Sequence, residues 1–146
     1  MNALAQFKRG SLWVLLWTAA ALLAGCAGMG AGNNVRITLS GNQEVPPAST
    51  SASGSGTITI AADKSVSGSV STTGVEGMAA HIHVGAAGKN GPVIIPLTKT
   101  SDNVWSVPAG AKLTDAQYDS FKAGDLYVNV HSAKYKGGEI RGQMKP

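Results

Sequence analysis

The sequence predicts an all-β protein, an antiparallel Greek-key-like sandwich carrying one short helix. Three observations predict it. From Val35 onward, short runs of alternating apolar and polar residues recur, and β-branched residues dominate them. Gly, Pro, Ser, Asn or Asp cluster between most of these runs, as turns require. One stretch alone, residues 113–124, reads as a helix.

The elements follow in chain order. "VRITLS" places Val35, Ile37 and Leu39 on one face, since side chains alternate along a strand. "QEVPP", residues 43–47, pairs prolines that cannot donate to a ladder and reads as a turn. "ASTSASGSG", residues 48–56, is low in complexity and is expected to be a flexible surface loop. "GTITIA" and "SVSGSVS" supply the next two strands, followed by "MAAHIHV". "GAAGKNG", residues 85–91, has neither the spacing of a phosphate loop nor a following helix signal, and reads as a hairpin loop. "PVIIPL", "NVWSV", "DLYVNVH" and "GEIRGQM" bring the predicted strands to eight. In "LTDAQYDSFKAG", Thr114 is a fitting N-cap with Gln117 three residues on, Leu113 and Tyr118 stand at the staple positions, and Gly124 fits the stop. That helix, near residues 114–123, is expected to cover one end of the sandwich.

The first quarter of the chain has another purpose. Lys8 and Arg9 precede the apolar run "SLWVLLWTAAALLAG", which is short for a membrane span and reads as a secretory signal over residues 1–25. Leu23-Ala24-Gly25-Cys26 resembles the bacterial lipobox, which implies a lipidated Cys26 as the first mature residue. Cys26 is the single cysteine, so an intrachain disulfide is impossible. Residues 26–34 are then a lipidated cysteine and flexible tether, and residues 35–146 one domain. Each buried CH₂ of an acyl chain contributes about 0.8 kcal/mol, enough for several chains to hold a domain on a membrane. The expected location is the bacterial cell envelope. Ala27, where an inner-membrane lipoprotein often carries Asp, favours the outer membrane, facing the periplasm or the cell surface.

Charge excludes one class of partner. The chain carries a formal charge of +4, but removing Lys8 and Arg9 with the signal leaves ten basic residues against eight acidic, or +2. No basic stripe with interleaved aromatics is present, so no nucleic-acid partner is expected. No GxSxG surrounds a serine, and the acidic residues are scattered, so hydrolase chemistry lacks support.

The candidate site is histidine. The chain has three, His81, His83 and His131, and all end strand-like segments. Alternation puts Met78, Ala80, Ile82 and Val84 on the core face, leaving His81 and His83 outside with Ala79. Leu126, Val128 and Val130 likewise leave His131 outside with Tyr127 and Asn129. All three imidazoles are therefore expected on the outer face, where solvated histidines are the plainer alternative to a metal site. Two residues apart on a strand, His81 and His83 have Cα atoms about 6.6 Å apart. Their rings can converge on one ion at about 2 Å each. A third His from an adjacent strand completes a three-nitrogen set; imidazole ligands suit copper and zinc, and a planar or T-shaped array with an open position suits Cu(II). Tyr127, Asn129, Glu139 and Arg141 are candidates to orient the imidazoles. Glu76 reaches the site only if its strand bulges.

At these residues the sequence resembles known families. "LSGNQEVPP", "AAHIHVGAAGKNGPVIIPL" and "LTDAQYDSFKAGDLYVNVHSAKYKGGEIRGQ" together resemble the CHRD domain, named after chordin. That resemblance implies an extracytoplasmic β-sandwich module, and it allows a metal-free adhesion or protein-binding role. "HIHVG" and "LYVNVH" are also similar to the copper-binding strands of copper–zinc superoxide dismutase, which implies copper ligands at His81, His83 and His131. The sequence departs from that enzyme in having no His between residues 84 and 130 and no possible disulfide, so zinc is not expected. The reading is an envelope-anchored lipoprotein that binds one copper ion for buffering, carriage or sensing, exchanging it with a copper donor or acceptor protein. The alternatives are a superoxide-dismutase-like copper enzyme, with Lys134 and Lys136 near the approach, and the metal-free module.

Overall fold

The computed structural model describes residues 32–146. The signal, Cys26 and the tether up to residue 31 lie outside the described residues. Nine strands form: β1 (Asn33–Ser40), β2 (Ser53–Ile60), β3 (Val66–Thr73), β4 (Gly77–Val84), β5 (Val93–Pro96), β6 (Thr98–Ser101), β7 (Val104–Ser106), β8 (Leu126–Ser132) and β9 (Ile140–Met144). One helix, α1 (Asp115–Lys122), stands between β7 and β8. Eight of the strands are those the sequence predicts. The addition is β6, whose four residues are all exposed and carry no apolar alternation to betray them.

The strands make one sheet in the order β5-β4-β8-β9-β1-β2-β3-β7-β6, every neighbouring pair antiparallel. The join between β9 and β1 rests on the single pair Ser40–Arg141, and there the sheet turns a corner. The two arms then face each other across one core. Ile37, Ile58, Val70 and Trp105 from one arm cluster with Ile82, Val128, Val130 and Ile140 from the other. The far ends also meet: the Lys99 ammonium of β6 donates to the Gly77 carbonyl of β4 at 3.3 Å. The result is an all-β sandwich that is nearly a closed barrel.

Alternation in β1 holds as expected, with Val35, Ile37 and Leu39 buried and their neighbours exposed. β1 begins at Asn33, two residues before the expected start of the domain. The helix cap also holds. Thr114 accepts from the Gln117 backbone N–H, and the Gln117 side chain accepts from the Thr114 N–H. Leu113 and Phe121 are buried and Tyr118 packs against the core.

Two expectations change. The Ser/Ala/Gly-rich stretch 48–56 is not a free loop: Ala48 and Ala52 are buried, and Ser53–Gly56 open β2. Small residues are needed there because β2 lies close against β3; a Cβ on Gly56 would collide with the Ser69 carbonyl. Met78 is not in the core but 70% exposed. A bulge between Gly77 and Ala79 opposes both to the consecutive pair Ser132 and His131, leaving Met78 as the extra residue and turning its side chain outward.

Candidate metal centre

β4 and β8 lie side by side, with Ala79 opposite His131, His81 opposite Asn129, and His83 opposite Tyr127. This pairing brings the three histidines together from positions 50 residues apart in sequence. One nitrogen from each lies within 4.8 Å of the others. His81 Nδ1 and His131 Nε2 are 3.0 Å apart.

The face that carries them is not open to solvent as alternation implies. β8 is buried on both sides. His83, Tyr127, Asn129, Glu139 and Arg141 are all buried, while His81 and His131 are half-buried. The cover comes from loops that alternation cannot register. Residues 43–50 cross over this face, with Ser49 accepting from the Tyr135 hydroxyl at 2.6 Å and Thr50 donating to Glu139 at 2.7 Å. The β4–β5 hairpin loop folds back, where Gly85 and Ala86 accept from Gln143 and Arg141, and Asn90 donates to the Val45 carbonyl.

The covering loops set the state of two imidazoles. His83 Nδ1 lies 2.9 Å from the Gly91 carbonyl, and His131 Nδ1 lies 2.9 Å from the Lys136 carbonyl. A carbonyl only accepts, so each Nδ1 carries the proton and each Nε2 is the acceptor of its neutral ring; that of His131 accepts from His81 Nδ1. His83 Nε2 is buried without a hydrogen bond of good geometry, the Asn129 side chain being the polar group beside the ring. A buried acceptor atom left so is costly unless something binds it. Burial holds the His81 and His83 pKa values below the ordinary imidazole value, with repulsion from the neighbouring rings adding to the effect. The Gly91 hydrogen bond opposes the shift at His83. Both rings are thus kept neutral at physiological pH, the form that binds a cation.

The four predicted supporting residues divide. Tyr127 stacks on His83 with centroids 4.7 Å apart and planes 7° from parallel. The Tyr127 hydroxyl also accepts from the Gly91 N–H at 3.2 Å, steadying the carbonyl group that holds His83. The Arg141 guanidinium lies over the Tyr127 ring, its carbon 3.4 Å from the centroid. A tier of guanidinium, phenol and imidazole therefore fixes the plane of His83. Asn129 stands beside His83 and Glu44. Glu139 belongs elsewhere: Thr50 donates to it, and it borders a surface pocket with Glu76 and Lys134.

Glu44 has no counterpart in the sequence reading. It is buried, and burial pushes its pKa up to about 7 against the opposing pull of Arg141 and of hydrogen bonds from Val45 and Asn129. Its one legible signal is a lone acid before paired prolines, which says only that the chain turns. The carbonyls of Gly91 and Lys136 were equally hidden, because any residue offers one. Met78, expected in the core, instead lines an open pocket with Ala79, His81, His131, Ala133 and Lys136.

The arrangement can hold a metal ion. Two nitrogens bound to one ion at about 2 Å stand roughly 3 to 4 Å apart, so spacings from 3.0 Å up to 4.8 Å need only small ring movements. Among the described residues no second group of three such ligands occurs, which leaves room for one ion. No curated protein and no solved structure matches the chain. The family model of the CHRD domain matches residues 35–144, from β1 through the last residue of β9, and the chain therefore belongs to the CHRD domain family.

Proposed function

We propose that this protein is an envelope-anchored lipoprotein whose CHRD domain binds one copper ion through His81, His83 and His131. The observation that carries the reading is the gathering of one nitrogen from each imidazole within 4.8 Å of the others, with Nδ1 of His83 and of His131 held by backbone carbonyls and His83 Nε2 buried. Three imidazoles suit copper or zinc, and copper stands above zinc in affinity for such a set. The ion would be held by side chains of two neighbouring strands, steadied by the Tyr127–Arg141 tier. Buffering, carriage or sensing at the envelope follows from a half-exposed site that a copper donor or acceptor protein can reach. Lipidation at Cys26 and an outer-membrane location complete the reading on the lipobox alone.

Binding is favoured over turnover. Superoxide chemistry needs a cationic approach. Among the described residues, the cation lining the histidine pocket is Lys136, while Arg141 has its N–H groups engaged by Ala86, Asn90 and Gln143. CHRD membership favours the metal-free module as the second reading, since the family is an extracytoplasmic β module. Cu(II) EPR on the full chain in detergent, with His81→Ala, His83→Ala and His131→Ala, separates the two. One stoichiometric three-nitrogen signal lost in each variant is expected. Weak, heterogeneous binding that ignores the substitutions would leave the protein-binding module.

A further inference from the structure

We propose that Met78 is an additional, sulfur ligand at this centre, and that the site therefore takes Cu(I) as well as Cu(II). The inference rests on the histidine cluster being a copper site, and adds a residue and an oxidation state to it. The first observation is exposure: Met78 is 70% exposed, although alternation along β4 would bury it. The second is the device that exposes it. Met78 is the unpaired residue of the bulge between Gly77 and Ala79, directly beside the pair Ala79–His131. Bulges re-aim side chains and gather next to functional sites.

The bulge suits a glycine at position 77. A Cβ there would stand 3.0 Å from the Trp105 ring and 3.1 Å from Val130 Cγ1, so Gly77 occupies the inward position that a regular strand would give to Met78. The chain has traded a buried methionine for an exposed one.

The third observation is what Met78 then faces. Its pocket is walled by Ala79, Ala133 and Lys136 and shares His81 and His131 with the metal centre. Those two rings carry the nitrogens that stand 3.0 Å apart. A thioether is a soft, neutral ligand that selects Cu(I) over harder ions. Its unbranched, flexible side chain reaches across a mouth without reordering the backbone. Two imidazoles and one thioether, all neutral, give a singly charged ion a low-coordinate site at the rim, while His83 lies deeper.

The test compares Met78→Leu with the parent chain, both prepared unlipidated and carrying Cys26→Ala so that no free thiol competes. Each is titrated anaerobically with Cu(I) against a chromophoric Cu(I) chelator, and Cu(II) EPR is recorded on the same samples. Leu keeps the size and polarity of an exposed position, so folding is retained. The expected result is a loss of about tenfold or more in Cu(I) affinity. The three-nitrogen Cu(II) signal should be unchanged, and a sulfur scatterer in the Cu(I) X-ray absorption spectrum should vanish in Met78→Leu. Equal Cu(I) affinity in the two chains, or a parent spectrum without sulfur, overturns the role of Met78 while leaving the histidine site standing. A parent chain that binds neither Cu(I) nor Cu(II) specifically overturns the copper reading itself.

Discussion

Single side chains decide whether this cluster is a metal site or three idle rings. Tyr127 couples to His83 twice, by stacking and through Gly91. Tyr127→Phe keeps the stack and is expected to hold Cu(II) affinity within a few-fold. Tyr127→Leu loses it and should weaken affinity by about 10- to 100-fold, as loss of an orienting partner does; competition titrations of both variants check this. Glu44 gives a pH signature of opposite sign to that of the histidines. Its folded pKa, about 7, lies above the ordinary 4.5, so the folded state holds the extra proton and loses stability as pH rises from 4.5 to 7. Glu44→Gln removes an ionisable group and should raise stability at pH 8 by about 2 kcal/mol while changing little at pH 4.5. Urea unfolding at the two pH values would show it, and an equal effect at both would discount Glu44 ionisation. For His81 and His83 the folded pKa is lowered, so their contribution is present above the ordinary value of 6.5 and is lost as pH falls below it.

At the scale of elements, the helix and the strands separate stability from chemistry. The capping box of α1 lies outside the histidine cluster, in a segment that closes the core through Leu113 and Phe121. Thr114→Ala should cost about 1 kcal/mol, seen as a fall of roughly 3 to 6 °C in Tm, with Cu(II) binding unchanged. The helix was fully legible because its signals are local: a cap, a partner three residues on and a glycine stop. Strand faces were legible where one side meets solvent, as in β1. They failed at β8 and β9, where both sides are buried, and at Met78, where one extra residue reverses the alternation. Neither a covering loop nor a bulge leaves a periodic trace.

For the whole molecule, the histidine cluster ties together β4 and β8, neighbours within one arm of the sheet. An ion that binds only the folded chain must stabilise it by mass action. Free Cu(II) at about 100 times its Kd should add about 2.7 kcal/mol, measured as a rise in Tm that the triple His→Ala variant lacks. The amino-acid sequence by itself determined the β class, the helix, the family and the identity of the three imidazoles. These rest on local alternation, capping chemistry and residue type, which a linear chain displays. Only the tertiary structure decided that the imidazoles meet, which nitrogen of His83 and of His131 carries the proton, and that Met78 stands beside them. Those facts depend on strand register, on a bulge and on carbonyls carried in by loops, and such contacts exist only once distant segments have folded onto one face.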